Sequence, residues 1–77
     1  MTVKDLLKLL GQYQWIEIAG DYFGTSPSFA SQIKNLTSED NYEFFCAQKI
    51  NGIVSESEDG DPFLVIYYDD SELEGGA

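Results

Sequence analysis

The sequence contains no histidine and no arginine, and these two absences remove most of the common catalytic and phosphate-binding sites. Without histidine there is no imidazole base, no histidine-based catalytic triad and no histidine metal ligand. Without arginine there is no guanidinium to clamp a phosphoryl group. A glycine-rich phosphate loop with its lysine is missing too. We therefore expect a protein that is not an enzyme and has no catalytic residues.

Cysteine is nearly absent as well. Cys46 is the single thiol, so neither an internal disulfide nor a zinc site built on a cysteine pair can form. A lone thiol fits a reducing compartment, and we interpret Cys46 as a small core residue. No apolar run has the length of a signal peptide core or of a bilayer span. The sequence predicts a cytoplasmic protein with no cofactor, no metal site and no membrane contact.

Positive charge is scarce, whereas negative charge is abundant. Fourteen acids against four lysines give a formal net charge of -10 at pH 7. Eight of the acids lie in the last 22 residues, which contain no lysine. Such a surface repels nucleic acid and anionic membranes and suits a basic partner. We expect the partner to be a basic nucleic-acid-binding protein, with no direct contact to nucleic acid.

The apolar content is nonetheless that of a folding chain. Hydrophobic residues make up 43% of the sequence and aromatic residues 14%, more than a disordered acidic segment contains. Seventy-seven residues are enough for one small domain. We expect an α+β domain over residues 1–70, with an N-terminal helix packed on a small antiparallel sheet. A flexible acidic tail is expected over residues 71–77.

The most apolar run, residues 62–68 (Pro-Phe-Leu-Val-Ile-Tyr-Tyr), predicts an interior strand with packed material on both faces, because its apolar residues fall on both sides. Asp59-Gly60 before it is a strong hairpin signal. That turn places Val54 opposite Val65 and Ile53 opposite Ile66. The hairpin therefore pairs apolar residues on both faces.

The remaining elements follow from caps and alternation. Thr2 and Asp5 form a capping-box pattern that begins a helix. Alternation predicts strands over residues 14–20, 29–33 and 47–57. Cap-forming residues at 37–40 favour a short helix to about residue 46, although the end of that segment also fits a strand. The predicted order is helix, hairpin, short helix, hairpin.

The candidate binding residues are acids and two aromatic residues. The densest acidic group surrounds the predicted turn: Glu56, Glu58, Asp59 and Asp61. A second group, Asp69 and Asp70, lies more than about 20 Å away at about 3.3 Å per residue. Those two cannot act as a catalytic pair, because adjacent strand residues point to opposite faces. The run at 56–61 is too short for a calcium-binding loop.

Two interpretations of these acidic residues remain open. The carboxylates either maintain solubility or occupy the places of phosphates in a basic groove. Tyr22 and Phe23, at the edge of a predicted loop, either pack on the sheet or act as binding anchors.

Three segments carry a resemblance: residues 2–10 (Thr-Val-Lys-Asp-Leu-Leu-Lys-Leu-Leu), residues 15–18 (Trp-Ile-Glu-Ile) and residues 60–68 (Gly-Asp-Pro-Phe-Leu-Val-Ile-Tyr-Tyr). They resemble small proteins of phages and mobile elements of Gram-positive bacteria. Size, acidity and layout are similar to those of DNA-mimic anti-CRISPR proteins, which occupy the site for the protospacer-adjacent motif on a Cas9-type effector. The resemblance implies a non-enzymatic inhibitor in a bacterial host cell. The alternative is an interaction or assembly module that uses Trp15, Tyr22, Phe23 or a sheet edge.

Overall fold

The computed structural model describes residues 1–73, except for the side chain of residue 73. Within these residues the domain has three short α-helices, one 3₁₀ helix and four strands. The helices are α1 (Val3–Leu7), α2 (Ile33–Leu36) and α3 (Tyr42–Ala47). The strands are β1 (Trp15–Gly20), β2 (Phe29–Gln32), β3 (Ile50–Glu58) and β4 (Asp61–Tyr68). The predicted α+β class is confirmed, although α1 is only five residues long.

The four strands form one sheet in the order β2-β1-β4-β3. β1 with β2 and β3 with β4 are antiparallel pairs, whereas β1 and β4 pair in parallel. The sheet is therefore mixed, and the prediction of an antiparallel sheet is wrong at this central pair. The reason is the connection: the helical segment between β2 and β3 carries the chain across the sheet, which permits parallel pairing.

The β3–β4 hairpin has the predicted register. Ile53 pairs with Ile66 and Val54 with Val65. A register shift between Ile50 and Gly52 marks a bulge near the start of β3. β4 lies between β1 and β3, so it is the interior strand that its apolar run predicts.

Helices cover only one face of the sheet. Val3, Leu36 and Phe45 bring α1, α2 and α3 against the same core. The strands complete that core with residues of one face: Ile16, Ile18, Phe29, Ile66 and Tyr68. The expectation that both faces of β4 are covered is not met, because the three short helices all lie on one side. Val65 points to the other face of the sheet and is nonetheless buried.

The capping box at the start of α1 forms as predicted. The amide of Asp5 donates to Oγ1 of Thr2 (3.3 Å), and the amide of Thr2 donates to Oδ2 of Asp5 (3.0 Å). Two satisfied amides stabilise a helix this short. The backbone N–H of Val3 also donates to the carbonyl of Gln48 (2.9 Å), which ties the helix to the end of α3.

The sequence left both helix and strand possible for residues 38–46. The second half of this segment belongs to the helix α3. The helix begins at Tyr42, after a turn over residues 37–41, so the predicted start at residue 37 is too early. The observed strand β2 is one residue shorter than the predicted strand over residues 29–33, because Ile33 begins α2. The longest helix in the described chain has six residues, and none is long and apolar enough to cross a membrane.

The segment predicted as a tail begins with a short helix. Ser71–Leu73 forms a 3₁₀ helix directly after β4. The rest of that tail, residues 74–77, lies outside the described residues.

Candidate functional site: an acidic hairpin and its groove

The β3–β4 hairpin closes through a tight two-residue turn. Asp59 and Gly60 have φ angles of 52° and 85°, the pair of positive φ values that a type I′ turn requires. Aspartate tolerates this left-handed backbone better than most residues do. The turn places Glu58 directly opposite Asp61.

Four acids surround this turn, and three of them share a face. Glu56 pairs with Phe63, and Glu58 pairs with Asp61. Because side chains two residues apart point to the same side of a strand, Glu56, Glu58 and Asp61 lie on the face that the helices leave open. All of them are exposed. The hairpin therefore presents a row of carboxylates on the open face.

Aromatic residues continue this row on the neighbouring strand. Trp15 and Phe63 stand one residue before the paired Ile16 and Leu64, so they lie side by side on the open face. Trp15 is 54% exposed. Glu17, next on that face, pairs with Val65. Acidic and aromatic side chains are thus mixed on one surface.

A groove of about 760 Å³ separates the start of β1 from the hairpin tip. No lysine is among the described residues that line it. The lining consists of Tyr13, Gln14, Trp15, Ile16, Glu17, Ala30, Glu58, Asp59, Asp61, Pro62 and Phe63. Its carboxylates therefore give it a negative potential.

Asp70, which the sequence places among the binding acids, is buried. Its side chain is 0% exposed. Oδ1 accepts a hydrogen bond from the amide of Tyr22 (2.8 Å), and Oδ2 accepts from the amide of Phe23 (3.1 Å) and from the hydroxyl of Ser26. Asp70 is therefore a clamp on the loop over residues 21–28, and it is not part of an exposed contact surface.

The protonation of Asp70 is set by two opposing effects. Burial favours the neutral carboxyl, but the Ser26 hydroxyl and the Tyr22 and Phe23 amides together outweigh it and lower the pKa below the usual 3.8. Gly20 makes room for this clamp, because a Cβ at that position would collide with the Asp70 carboxylate. The loop is thus held by an ionised, fully bonded side chain.

The same loop has a second anchor. The hydroxyl of Tyr68 donates to the carbonyl of Pro27 (2.6 Å). Tyr68 is buried among Phe44 and Phe45, whose ring centroids lie 5.8 and 6.2 Å from its own. Tyr22, at the front of this loop, is 60% exposed.

Asp69 is partly buried and bonded locally. Its Oδ1 accepts from the hydroxyl (2.7 Å) and the amide (3.0 Å) of Ser71, the first residue of the 3₁₀ helix. These hydrogen bonds, the hydroxyl first, lower the pKa of Asp69 below 3.8.

The predicted site residues therefore separate into two groups at opposite ends of the sheet, because β1 and β4 run parallel. The hairpin brings together Glu56, Glu58, Asp59 and Asp61. The other end holds Tyr22, Phe23, Asp69 and Asp70. The prediction of the site missed Tyr13, Glu17 and Phe63, which also line the groove. The predicted hairpin register already places Phe63 opposite Glu56. Tyr13 and Glu17 come near the tip only through the parallel pairing of β1 with β4, and alternation within one strand does not show such a register.

Within residues 1–73, no group of three or more cysteine and acidic side chains has the arrangement of a metal site. The comparisons with protein-family models, curated proteins and solved structures returned no match to this chain.

Proposed function

We propose that this protein is a non-enzymatic acidic inhibitor that occupies a basic nucleic-acid-binding surface of another protein by charge mimicry. The observation that carries the proposal is the placement of Glu58 opposite Asp61, with Glu56 on the same exposed face. In its most specific form the partner is a nuclease effector of the Cas9 type, and the protein acts in the bacterial cytoplasm as an anti-CRISPR or other anti-defence protein.

The energetics of the hairpin tip support this proposal. Like charges directly opposite each other on adjacent strands destabilise a sheet. A formal net charge of -10 adds self-repulsion in a domain with a small core. Cationic side chains of a partner would relieve both costs. A hairpin that served only to connect two strands would have no need of this arrangement.

The spacing of the carboxylates also supports it. Glu56 and Glu58 are two residues apart on one strand, which is about 6.6 Å at about 3.3 Å per residue. The closed type I′ turn holds them in a fixed geometry. A nucleic-acid backbone likewise presents negative charges at regular intervals, and a basic groove binds it with a strong dependence on salt. We expect the same salt dependence here.

The first experiment is competitive capture. The protein is immobilised, exposed to a bacterial lysate and washed, and bound proteins are eluted with double-stranded DNA at constant ionic strength. Charge mimicry predicts that a basic nucleic-acid-binding protein is captured and that DNA releases it. If DNA releases no captured protein, the proposal is wrong.

For a Cas9-type effector the order of addition provides a second test. Inhibition of DNA cleavage is expected when the protein is added before target DNA, and much less inhibition when target DNA is bound first. Equal inhibition in both orders would contradict competition for the same surface.

A second candidate function is an interaction or assembly module that binds through aromatic residues. The observation in its favour is the exposure of Trp15 and Tyr22, at 54% and 60%, since exposed aromatic residues are common anchors at protein interfaces. Binding of this kind depends much less on salt than binding through carboxylates does. A salt titration of the captured complex therefore separates the two functions.

A further inference from the structure

The groove beside the hairpin tip combines aromatic surface with negative charge. Trp15 and Phe63 provide aromatic surface, while Glu58 and Asp61 provide negative charge. A neutral apolar ligand would leave the carboxylates desolvated and unpaired. A small hydrated cation would make no use of the rings. The combination favours a ligand that is both cationic and flat enough to stack.

The rings of this groove are accessible to a cation. Trp15 is 54% exposed, and tryptophan attracts cations most strongly of the aromatic side chains when they lie within about 6 Å of the ring centre. The chain already contains one such contact at the groove, where Nζ of Lys34 lies 5.2 Å from the centroid of the Tyr13 ring.

The carboxylates are placed to bind more than one N–H group. Glu58 and Asp61 are directly paired across the hairpin, and the Cβ atoms of such a pair lie about 4.5–5.5 Å apart. A guanidinium presents five N–H donors in a rigid plane, so it can bind carboxylates while one face stacks on a ring. An ammonium is a compact, strongly hydrated charge and does not stack in this way.

We propose that this groove receives an arginine side chain of the basic partner, with the guanidinium stacked on Trp15 and bonded to Glu58 and Asp61. The inference rests on the proposed function, because it specifies which basic group the acidic face recognises. It gives Trp15 a role in choosing arginine over lysine. The carboxylates alone would bind both side chains.

Two matched peptides test this inference on the whole protein. One alternates three arginines with glycine, and the other has lysine in place of arginine. Trp15 is the single tryptophan of the chain, so its fluorescence reports directly on stacking. We expect the arginine peptide to change this fluorescence saturably and to bind about threefold to tenfold more tightly than the lysine peptide, the range that a stacking contact provides.

Variants assign the effect to the groove. Labelled peptides and anisotropy measurements are used with Trp15→Leu. The control is Leu9→Ala, which removes an exposed apolar side chain outside the groove lining. We expect Trp15→Leu to reduce arginine binding to the lysine level and Leu9→Ala to leave it unchanged. If Trp15→Leu does not fold, the fluorescence response of the unaltered protein decides the question.

The outcomes distinguish this inference from the proposed function. Equal binding of both peptides with no response from Trp15 would overturn the arginine site and leave the acidic face as a general cation-binding surface. Failure of both peptides to bind at low salt would overturn both. Tighter binding of arginine that persists in Trp15→Leu would also overturn the stacking role.

Discussion

Glu58 and Asp61 face each other directly across the β3–β4 hairpin, so two negative charges occupy a position where opposite charges would stabilise the sheet. The turn between them is otherwise well formed, since Asp59 and Gly60 both adopt the positive φ values that it needs. Local backbone preference and local charge therefore disagree at this point. Such disagreement is typical of functional positions.

Replacement of Asp61 by lysine should make the isolated domain more stable. The change converts a like-charged pair into an opposite-charged pair, and we expect the free energy of unfolding in urea to rise by about 0.2–1 kcal/mol. Binding to a basic partner should weaken at the same time. Asp40→Lys, in the exposed turn before α3, is the matched control for the change in net charge. An equal rise in the unfolding free energy of Asp40→Lys would show that the effect comes from net charge and not from the pairing of Glu58 with residue 61.

The buried carboxylate of Asp70 should be important for stability. In Asp70→Ala the amides of Tyr22 and Phe23 lose their acceptor, and a buried donor left unpaired costs about 1–3 kcal/mol. We expect urea denaturation to show a loss of more than about 2 kcal/mol, since two amides are affected. Asp69→Ala, which removes only the local bonds to Ser71, should cost about 1 kcal/mol or less. Similar losses in the two variants would contradict the clamp.

Gly20 should tolerate no side chain. A Cβ there would meet the Asp70 carboxylate and lie 2.8 Å from Cβ of Ser26, so Gly20→Ala must displace the clamp. Overpacking of this kind costs about 1–3 kcal/mol, which a thermal melt will detect. Gly11→Ala is the control, because no atom lies within 4 Å of its added Cβ. Equal melting temperatures for the two variants would show that the clamp can move aside.

Stability should depend on pH at both extremes. The pKa of Asp70 is lowered in the folded chain, so its contribution is fully present above the usual 3.8 and is lost as the pH falls through the lower folded value. Burial, aided by the charge of Asp70, raises the pKa of Tyr68 above 10.0. The contribution of Tyr68 to stability is therefore lost as the pH rises through its folded pKa. The urea midpoint of unfolding should fall at the acid end and at the alkaline end of a pH series. In Asp70→Asn the fall on the acid side should be smaller.

The hairpin shows what this sequence predicts well. Asp59-Gly60 determines the turn, the turn determines the register, and the pairs Val54 with Val65 and Ile53 with Ile66 follow. The capping box of Thr2 and Asp5 is equally local and forms as predicted. Signals that lie within a few residues of each other can be read directly from the chain.

Long-range relationships are the part that the sequence does not show. Asp69 and Asp70 are chemically identical neighbours, yet only Asp70 is fully buried. Its hydrogen-bond partners Tyr22 and Ser26 lie 48 and 44 residues away in the chain, so the sequence does not reveal the difference. The parallel pairing of β1 with β4 is of the same kind. That pairing brings Trp15 beside the hairpin tip. The acids of the candidate site could therefore be predicted from the sequence, but the position of Trp15 next to them could not.

The most direct test of the account is the affinity of the DNA-released partner for a triple variant, Glu58→Gln, Asp59→Asn and Asp61→Asn, measured over a series of salt concentrations. Asparagine also tolerates a positive φ, so the turn at residue 59 should survive. A control with the same loss of charge on the helical side replaces Glu39, Asp40 and Glu43, all exposed, by Gln, Asn and Gln. Circular dichroism confirms that both variants fold.

We predict that the tip variant binds about tenfold or more weakly, because interfacial charges left unmatched are costly. The dependence of its affinity on salt should also be shallower, since fewer charges are neutralised on binding. The control should bind within about twofold of the unaltered protein, since exposed charges away from the interface have small effects. A tip variant that folds and binds like the unaltered protein, or a control that weakens binding equally, would contradict the claim that the acidic hairpin is the contact surface.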